Sequence, residues 1–184
     1  VEVHEFSHNV KNLGLLTNAK TIGAVGYSKG EETEVEKYAL VITTADGVRG
    51  EYVTHWGGNS AACAQTKMLA PKLLEYRAEQ RELIFDDFKR ELRQFDHMGH
   101  GPLDIALWDW AGKKLNCSIS LLLGSYRNKL PAYASTYHGD RNGGLDSKES
   151  FSSFAEECYD LGYRAFKIHG WHAVSYTHLT LPTK

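Results

Sequence analysis

The sequence predicts an α+β domain up to about residue 125, followed by the opening of an α/β domain. Three observations support this. Two strand-like runs flank an Asp46-Gly47 turn, apolar helical stretches fill residues 60–123, and a strand–helix–strand pattern follows from Lys129. The 184 residues are 42% hydrophobic and 24% charged, which suits an ordinary globular protein with a real core.

Val1–Phe6 alternates and reads as a strand. Ser7–Glu36 is rich in Gly, Asn, Lys and Glu with little periodicity, and is expected to be a long loop of the kind that serves as a lid or binding loop. Lys37–Thr44 and Val48–Thr54 read as a hairpin around Asp46-Gly47, because Gly tolerates positive φ. Ser60–Leu69 suits a helix that stops at Pro71. Across Glu82–Phe95, Leu83, Ile84, Phe88, Leu92 and Phe95 form a helical stripe. After Pro102, Ile105, Trp108, Ala111, Gly112 and Leu115 line one side of a helix. Leu103, Leu107 and Trp110 line another, so burial nearly all round is expected. Ser118 caps a short helix that Gly124 stops.

Lys129–Thr136 reads as a strand, and Asp146 as the N-cap of a helix with Glu149 as its capping partner. Phe151, Phe154, Ala155 and Cys158 form that helix's apolar face, Gly162 ends it, and Tyr163–Ile168 is the next strand. Such a unit calls for a parallel sheet. One helix and two strands cannot close an α/β core, so further strands are expected in the natural protein. Val174–Lys184 breaks the pattern. Its run Val-Ser-Tyr-Thr-His-Leu-Thr-Leu-Pro-Thr resembles the translation of a sequencing adapter, so these residues are expected to be non-native and the chain truncated. The missing initiator Met suggests a clipped N-terminus as well.

Several classes of function are disfavoured. The net charge of −2 is interspersed and forms no basic stripe, so nucleic acid is not an expected partner. No run of eighteen apolar residues suggests a membrane span. Cys63, Cys117 and Cys158 are odd in number and widely spaced, as expected of free thiols in a reducing cytoplasm. His97 and His100 lack further ligands at zinc spacing, and no phosphate-binding glycine loop follows a strand.

Gly101-Pro-Leu-Asp-Ile-Ala-Leu-Trp-Asp-Trp-Ala-Gly-Lys-Lys-Leu115, with Leu121-Leu-Leu-Gly124 after it, resembles the signature helix of the mandelate racemase and muconate lactonizing branch of the enolase superfamily. The hairpin Lys37–Thr54 resembles that family's N-terminal capping domain. Lys129–Thr136 and Gly162–Gly170 resemble its first two barrel strands. The resemblance implies a capping domain over residues 1–125, the start of a truncated (β/α) barrel over 126–173, and the tail 174–184. It makes Ser7–Glu36 the specificity lid and Thr54–Ala64 a second capping loop.

Along Tyr163–His169, alternation places Lys167 and His169 on one face, and Arg164, Phe166 and Ile168 on the other. The apolar face suits the helix-covered outside of a barrel, leaving Lys167 and His169 inward at the strand's C-terminal end, where such barrels work. Each cation would disfavour protonation of the other, which favours a neutral base. From pattern alone, a solvated strand end also explains the pair. By resemblance, Lys167 matches the first Lys of the family's Lys-x-Lys motif and His169 replaces the second, so both are candidate catalytic residues. Thr136, Tyr137 and His138 end the first strand and are candidate substrate contacts, although loop polarity also accounts for them. His55 and Trp56 are candidates in the second capping loop, where surface or packing roles are equally open.

The resemblance implies proton abstraction next to a carboxylate, with Mg²⁺ stabilising the ene-diolate. The metal ligands are expected on later strands, so no residue of this chain is assigned to metal and the fragment itself is expected to be inactive. The parent is expected to be a homo-oligomer acting on a small-molecule carboxylate. Acid-sugar dehydration is the first expectation, and racemisation, epimerisation or cycloisomerisation the second. A stand-alone, non-catalytic α+β binding module is the rival.

Overall fold

A computed structural model describes residues 1–15, 25–55, 59–137 and 140–168. They form two compact units. One comprises Val1–His8 and Val35–Asn128; the other comprises the described parts of Asn9–Glu34 and Lys129–Lys184. Among the described residues no helix is long and apolar enough to cross a membrane.

β1 (Glu2–Leu15) and β2 (Val25–Thr43) run through both units, and with β3 (Arg49–Val53) they make a three-stranded sheet in the order β1-β2-β3. The expected loop Ser7–Glu36 is therefore corrected. Its described residues are the distal halves of two paired strands. The stretch is mostly exposed, so no apolar alternation marks it. Backbone pairing holds it, and every non-proline residue can supply that.

In the first unit β2 and β3 are antiparallel, with Leu40 opposite Tyr52 and Ile42 opposite Gly50. The turn between them is the expected one, with Gly47 at φ +83° and its N–H donating to Thr44 O at 2.9 Å. Trp110 Nε1 donates to Thr44 Oγ1 at 3.0 Å, and Lys114 pairs with Asp46, so the turn is tied to the helix behind it. Hydrogen bonds from Lys114 and Thr44 hold the Asp46 carboxyl well below the usual carboxylate range.

α1 (Asn59–Leu73), α2 (Arg81–Glu91) and α3 (His100–Leu115) cover the sheet. α1 passes through Pro71 instead of stopping before it. The proline falls in the last turn, where little helix remains to be disrupted. In α2, Ile84 and Phe88 are buried, and so is Leu92 at its C-cap. Leu83 and Phe95 of the expected stripe are 46% and 53% exposed, because the helix ends before Phe95 and Leu83 falls on the outer side. α3 is also corrected. Leu103, Ala106, Leu107, Trp110 and Ala111 are buried, while Ile105 and Leu115 are exposed. Trp108 is half-buried under the Arg81 guanidinium, 4.6 Å from the ring centroid. The side bearing Ile105, Trp108 and Leu115 thus meets solvent and a cation, while the side bearing Leu103, Leu107 and Trp110 faces the core.

The core joins Leu40 and Ile42 of the sheet to Leu69, Leu73, Ile84, Phe88, Leu103 and Leu107 of the helices. Beside it, the Tyr38 hydroxyl lies 2.8 Å from Thr66 Oγ1, which donates to Gly99 O at 3.0 Å, so three buried polar groups satisfy one another. β3 presses on α3 at Gly50, where an added Cβ would stand 2.0 Å from Ala106 O and 2.7 Å from Trp110 Cβ. Gly50→Ala is expected to destabilise the chain by about 1–3 kcal/mol through overpacking. Urea denaturation measures this, and a midpoint equal to that of the parent would contradict it.

His100 is 6% exposed, with its ring 4.5 Å from that of Phe85 and its Nε2 buried without a partner. Burial, helped by His97 and Lys89, lowers its pKa below the ordinary 6.5. The folded chain therefore binds this proton less readily than the unfolded one. The neutral ring's contribution to stability is complete above about 6.5. It declines as pH falls through that value and is gone below the lowered folded pKa. The thermal midpoint should drop on acidification across this window, and His100→Leu should flatten that part of the curve.

α4 (Ile119–Leu122) is capped by Ser118, whose hydroxyl accepts from Leu121 N at 3.1 Å, as expected. In the second unit, β4 (Ala134–Ser135), α5 (Lys148–Asp160) and β5 (Phe166–Lys167) form the expected parallel strand–helix–strand unit. Both strands are shorter than the runs that predicted them. The cap of α5 moves by one residue: Ser147 and Ser150 form the capping box, not Asp146 and Glu149. Both serine hydroxyls reach the facing backbone N–H groups, at 3.1 and 3.0 Å.

Candidate functional site

The site is built at the C-terminal ends of β4 and β5. Ala134 N donates to Ala165 O and Thr136 N to Lys167 O, each at 3.0 Å, which fixes the register of the parallel pair. Phe166 turns toward α5 and meets Phe154 edge-on, with ring centroids 6.0 Å apart. Alternation then puts Lys167 on the face away from the helix. Its Nζ lies 5.8 Å from the Tyr133 ring centroid, within cation–π range.

Thr136 is buried where β4 ends, and Tyr137 follows, 39% exposed. Burial pushes the Tyr137 phenol above its ordinary pKa. Its backbone N–H donates to Asp140 Oδ1 at 2.7 Å, closing the turn into a short 3₁₀ segment, Asp140–Gly143. Asp140 Oδ2 is shielded from solvent and has no hydrogen-bond partner. The ring of Tyr27, from the distal half of β2, lies against Gly143 of this segment.

Of the residues expected from sequence, Thr136, Tyr137 and Lys167 therefore share one end of a parallel pair. His55 is exposed after β3 and belongs to the other unit. Trp56, His138, His169 and the tail 174–184 lie outside the described residues. Tyr27, Tyr133 and Asp140 were not anticipated. Tyr133 had a signal, since it lies within the run read as the first strand. Asp140 sits in a Gly-Asp-Arg-Asn-Gly stretch that looks like any polar turn, and Tyr27 lies in the segment read as loop. Among the described residues no three His, Cys, Asp or Glu side chains converge as a metal site would require.

Residues 27–124 match the family model described as mandelate racemase / muconate lactonizing enzyme, N-terminal domain. Over 150 residues the chain is 29% identical to the 3,6-anhydro-alpha-L-galactonate cycloisomerase of Streptomyces coelicolor, covering 76% of the chain and 39% of that protein. Over 146 residues it is 27% identical to the arabinonate dehydratase of Saccharolobus solfataricus, covering 74% of the chain and 38% of that protein. The chain thus spans about two fifths of the length of these relatives. The crystal structure of D-glucarate dehydratase from Agrobacterium tumefaciens complexed with magnesium superposes with a TM-score of 0.69 at 26% identity, covering 93% of the chain and 44% of that protein.

Proposed function

The chain belongs to the mandelate racemase / muconate lactonizing enzyme family, matched through its N-terminal domain, and from this premise we propose that the protein containing it abstracts the proton alpha to a carboxylate. The proposed reaction is dehydration of an acid sugar. Its relatives are lyases and isomerases, and two of those matched are dehydratases. The observation that carries the reading is Lys167, held at the C-terminal end of β5 on the face away from α5. The family match ending at residue 124 supports a capping domain over 1–125 and a barrel opening over 126–173.

In this reading Lys167 and His169 handle the substrate proton. A neutral amine or imidazole beside the alpha carbon accepts it, and the electron pair moves into the carboxylate. Thr136 and Tyr137 contact substrate from the end of β4, and His138, His55 and Trp56 remain further candidate substrate contacts. A divalent cation would supply charge stabilisation to the ene-diolate. Among the described residues no group of His, Cys, Asp and Glu side chains forms a site for it. Cycloisomerisation is the second reading, favoured by the 29% identity to a cycloisomerase.

The test is turnover by the full-length protein, with and without Mg²⁺, on a panel of aldonates, aldarates and anhydro-sugar acids. Metal-dependent loss of water from one of them is expected. Ring rearrangement without loss of water would favour the second reading. No turnover across the panel would overturn the assignment.

A further inference from the structure

The distal ribbon of β1 and β2 carries features that neither strand pairing nor the proposed chemistry requires. Asn12 on β1 and Gly30 on β2 both adopt left-handed backbone, at φ +59° and +84°, and Gly30 N donates to Asn12 Oδ1 at 3.0 Å. A left-handed residue inside a strand interrupts the pleat and re-aims it. Here one lies on each strand, and a side-chain hydrogen bond joins them. Next to this point Thr33 Oγ1 donates to Leu13 O at 2.6 Å. At Gly14 the strands approach so closely that an added Cβ would stand 2.8 Å from Ser28 Cβ. The ribbon is therefore pinned across its width just before it reaches Tyr27.

Tyr27 is half-buried, and its ring covers Gly143. A Cβ on Gly143 would stand 3.0 Å from Tyr27 Cε1 and 3.1 Å from Cδ1, so the ring uses the space a side chain would fill. Gly143 is not in left-handed backbone, so the need for glycine here comes from the ring and not from the dihedral angle. The segment it belongs to, Asp140–Gly143, follows the end of β4 and is tied there by Tyr137 N and Asp140 Oδ1.

We infer that Tyr27 on Gly143 is the seat that docks the ribbon on the loop after β4, making Tyr27 a positioning residue for ligand binding at the strand ends. The inference rests on the functional reading above only for its effect on substrate. The seat itself rests on the packing. A docked ribbon holds its end of the site in place before substrate arrives, so its loss should weaken binding more than it slows chemistry.

The test uses the full-length protein and its Tyr27→Ala, Tyr27→Phe, Gly143→Ala and Lys29→Ala variants. Amide hydrogen exchange reads the ribbon, and steady-state kinetics on the best acid-sugar substrate reads the site. Tyr27→Ala and Gly143→Ala are expected to speed exchange at the Val25–Gly30 amides roughly tenfold. They should also raise KM roughly tenfold with little change in kcat, because uniform binding is what is lost. Tyr27→Phe keeps the ring and should retain more of the parent's exchange protection and KM than Tyr27→Ala, and the surface control Lys29→Ala should match the parent. Unchanged exchange in both seat variants would overturn the seat. Faster exchange with unmoved KM would overturn its positioning role. An inactive parent across the whole panel would defeat the functional reading alone, and exchange would still decide the seat. If one seat variant fails to fold, the other approaches the same contact from the opposite side.

Discussion

Phe88→Ala is expected to cost about 3–5 kcal/mol of stability, the loss typical of deleting a fully buried aromatic ring. Phe88 has no exposed surface, meets Tyr76 edge-on with ring centroids 6.1 Å apart, and lies 6.4 Å from the His100 ring. It belongs to the cluster joining α1, α2 and α3 to β2, so the cavity would open where all four elements meet. Domains of this size are stable by about 5–15 kcal/mol, so the variant should be marginal or unfolded at 37 °C. Leu83→Ala on the same helix is the control. Leu83 is 46% exposed, and the change should stay within about 0.5 kcal/mol. Equal costs for the two variants in urea denaturation would show that α2 does not pack as described.

Lys167→Met in the full-length protein is expected to lower kcat by about 10²–10⁴, the contribution typical of a positioned acid–base group. The side chain is exposed on a short strand, where it reaches the Tyr133 ring, so the melting transition should hardly move. A loss of turnover with an unchanged fold would mark Lys167 as chemical and not structural. If kcat stays within a factor of about ten, the proton passes through another group and the assignment of Lys167 fails.

Much of the fold was legible because its signals are local. The Asp46-Gly47 hairpin, the helix after Pro102, the Ser118 cap and the Gly162 stop each depend on a few neighbouring residues. The parallel pairing of β4 with β5 also followed from order and spacing. The candidate site was legible in part. Lys167, Thr136 and Tyr137 came from strand alternation and strand ends. Tyr27 did not, because it approaches Gly143 from more than a hundred residues away in sequence and no local pattern encodes that contact.

By itself the sequence determined the kind of each main element and its punctuation, because side-chain periodicity and turn chemistry act over a few residues. It also determined the family's signature helix. Only the tertiary structure decided that the described residues of Ser7–Glu36 are paired strand, since backbone hydrogen bonds need a partner strand and not a particular side chain. Packing likewise decided which side of α3 is buried, why Gly50 has no room for a side chain and Gly143 sits tightly against Tyr27, and that Trp108 lies under Arg81. These outcomes depend on which surfaces meet. Close packing between elements distant in sequence sets that, and no short stretch of chain carries the information.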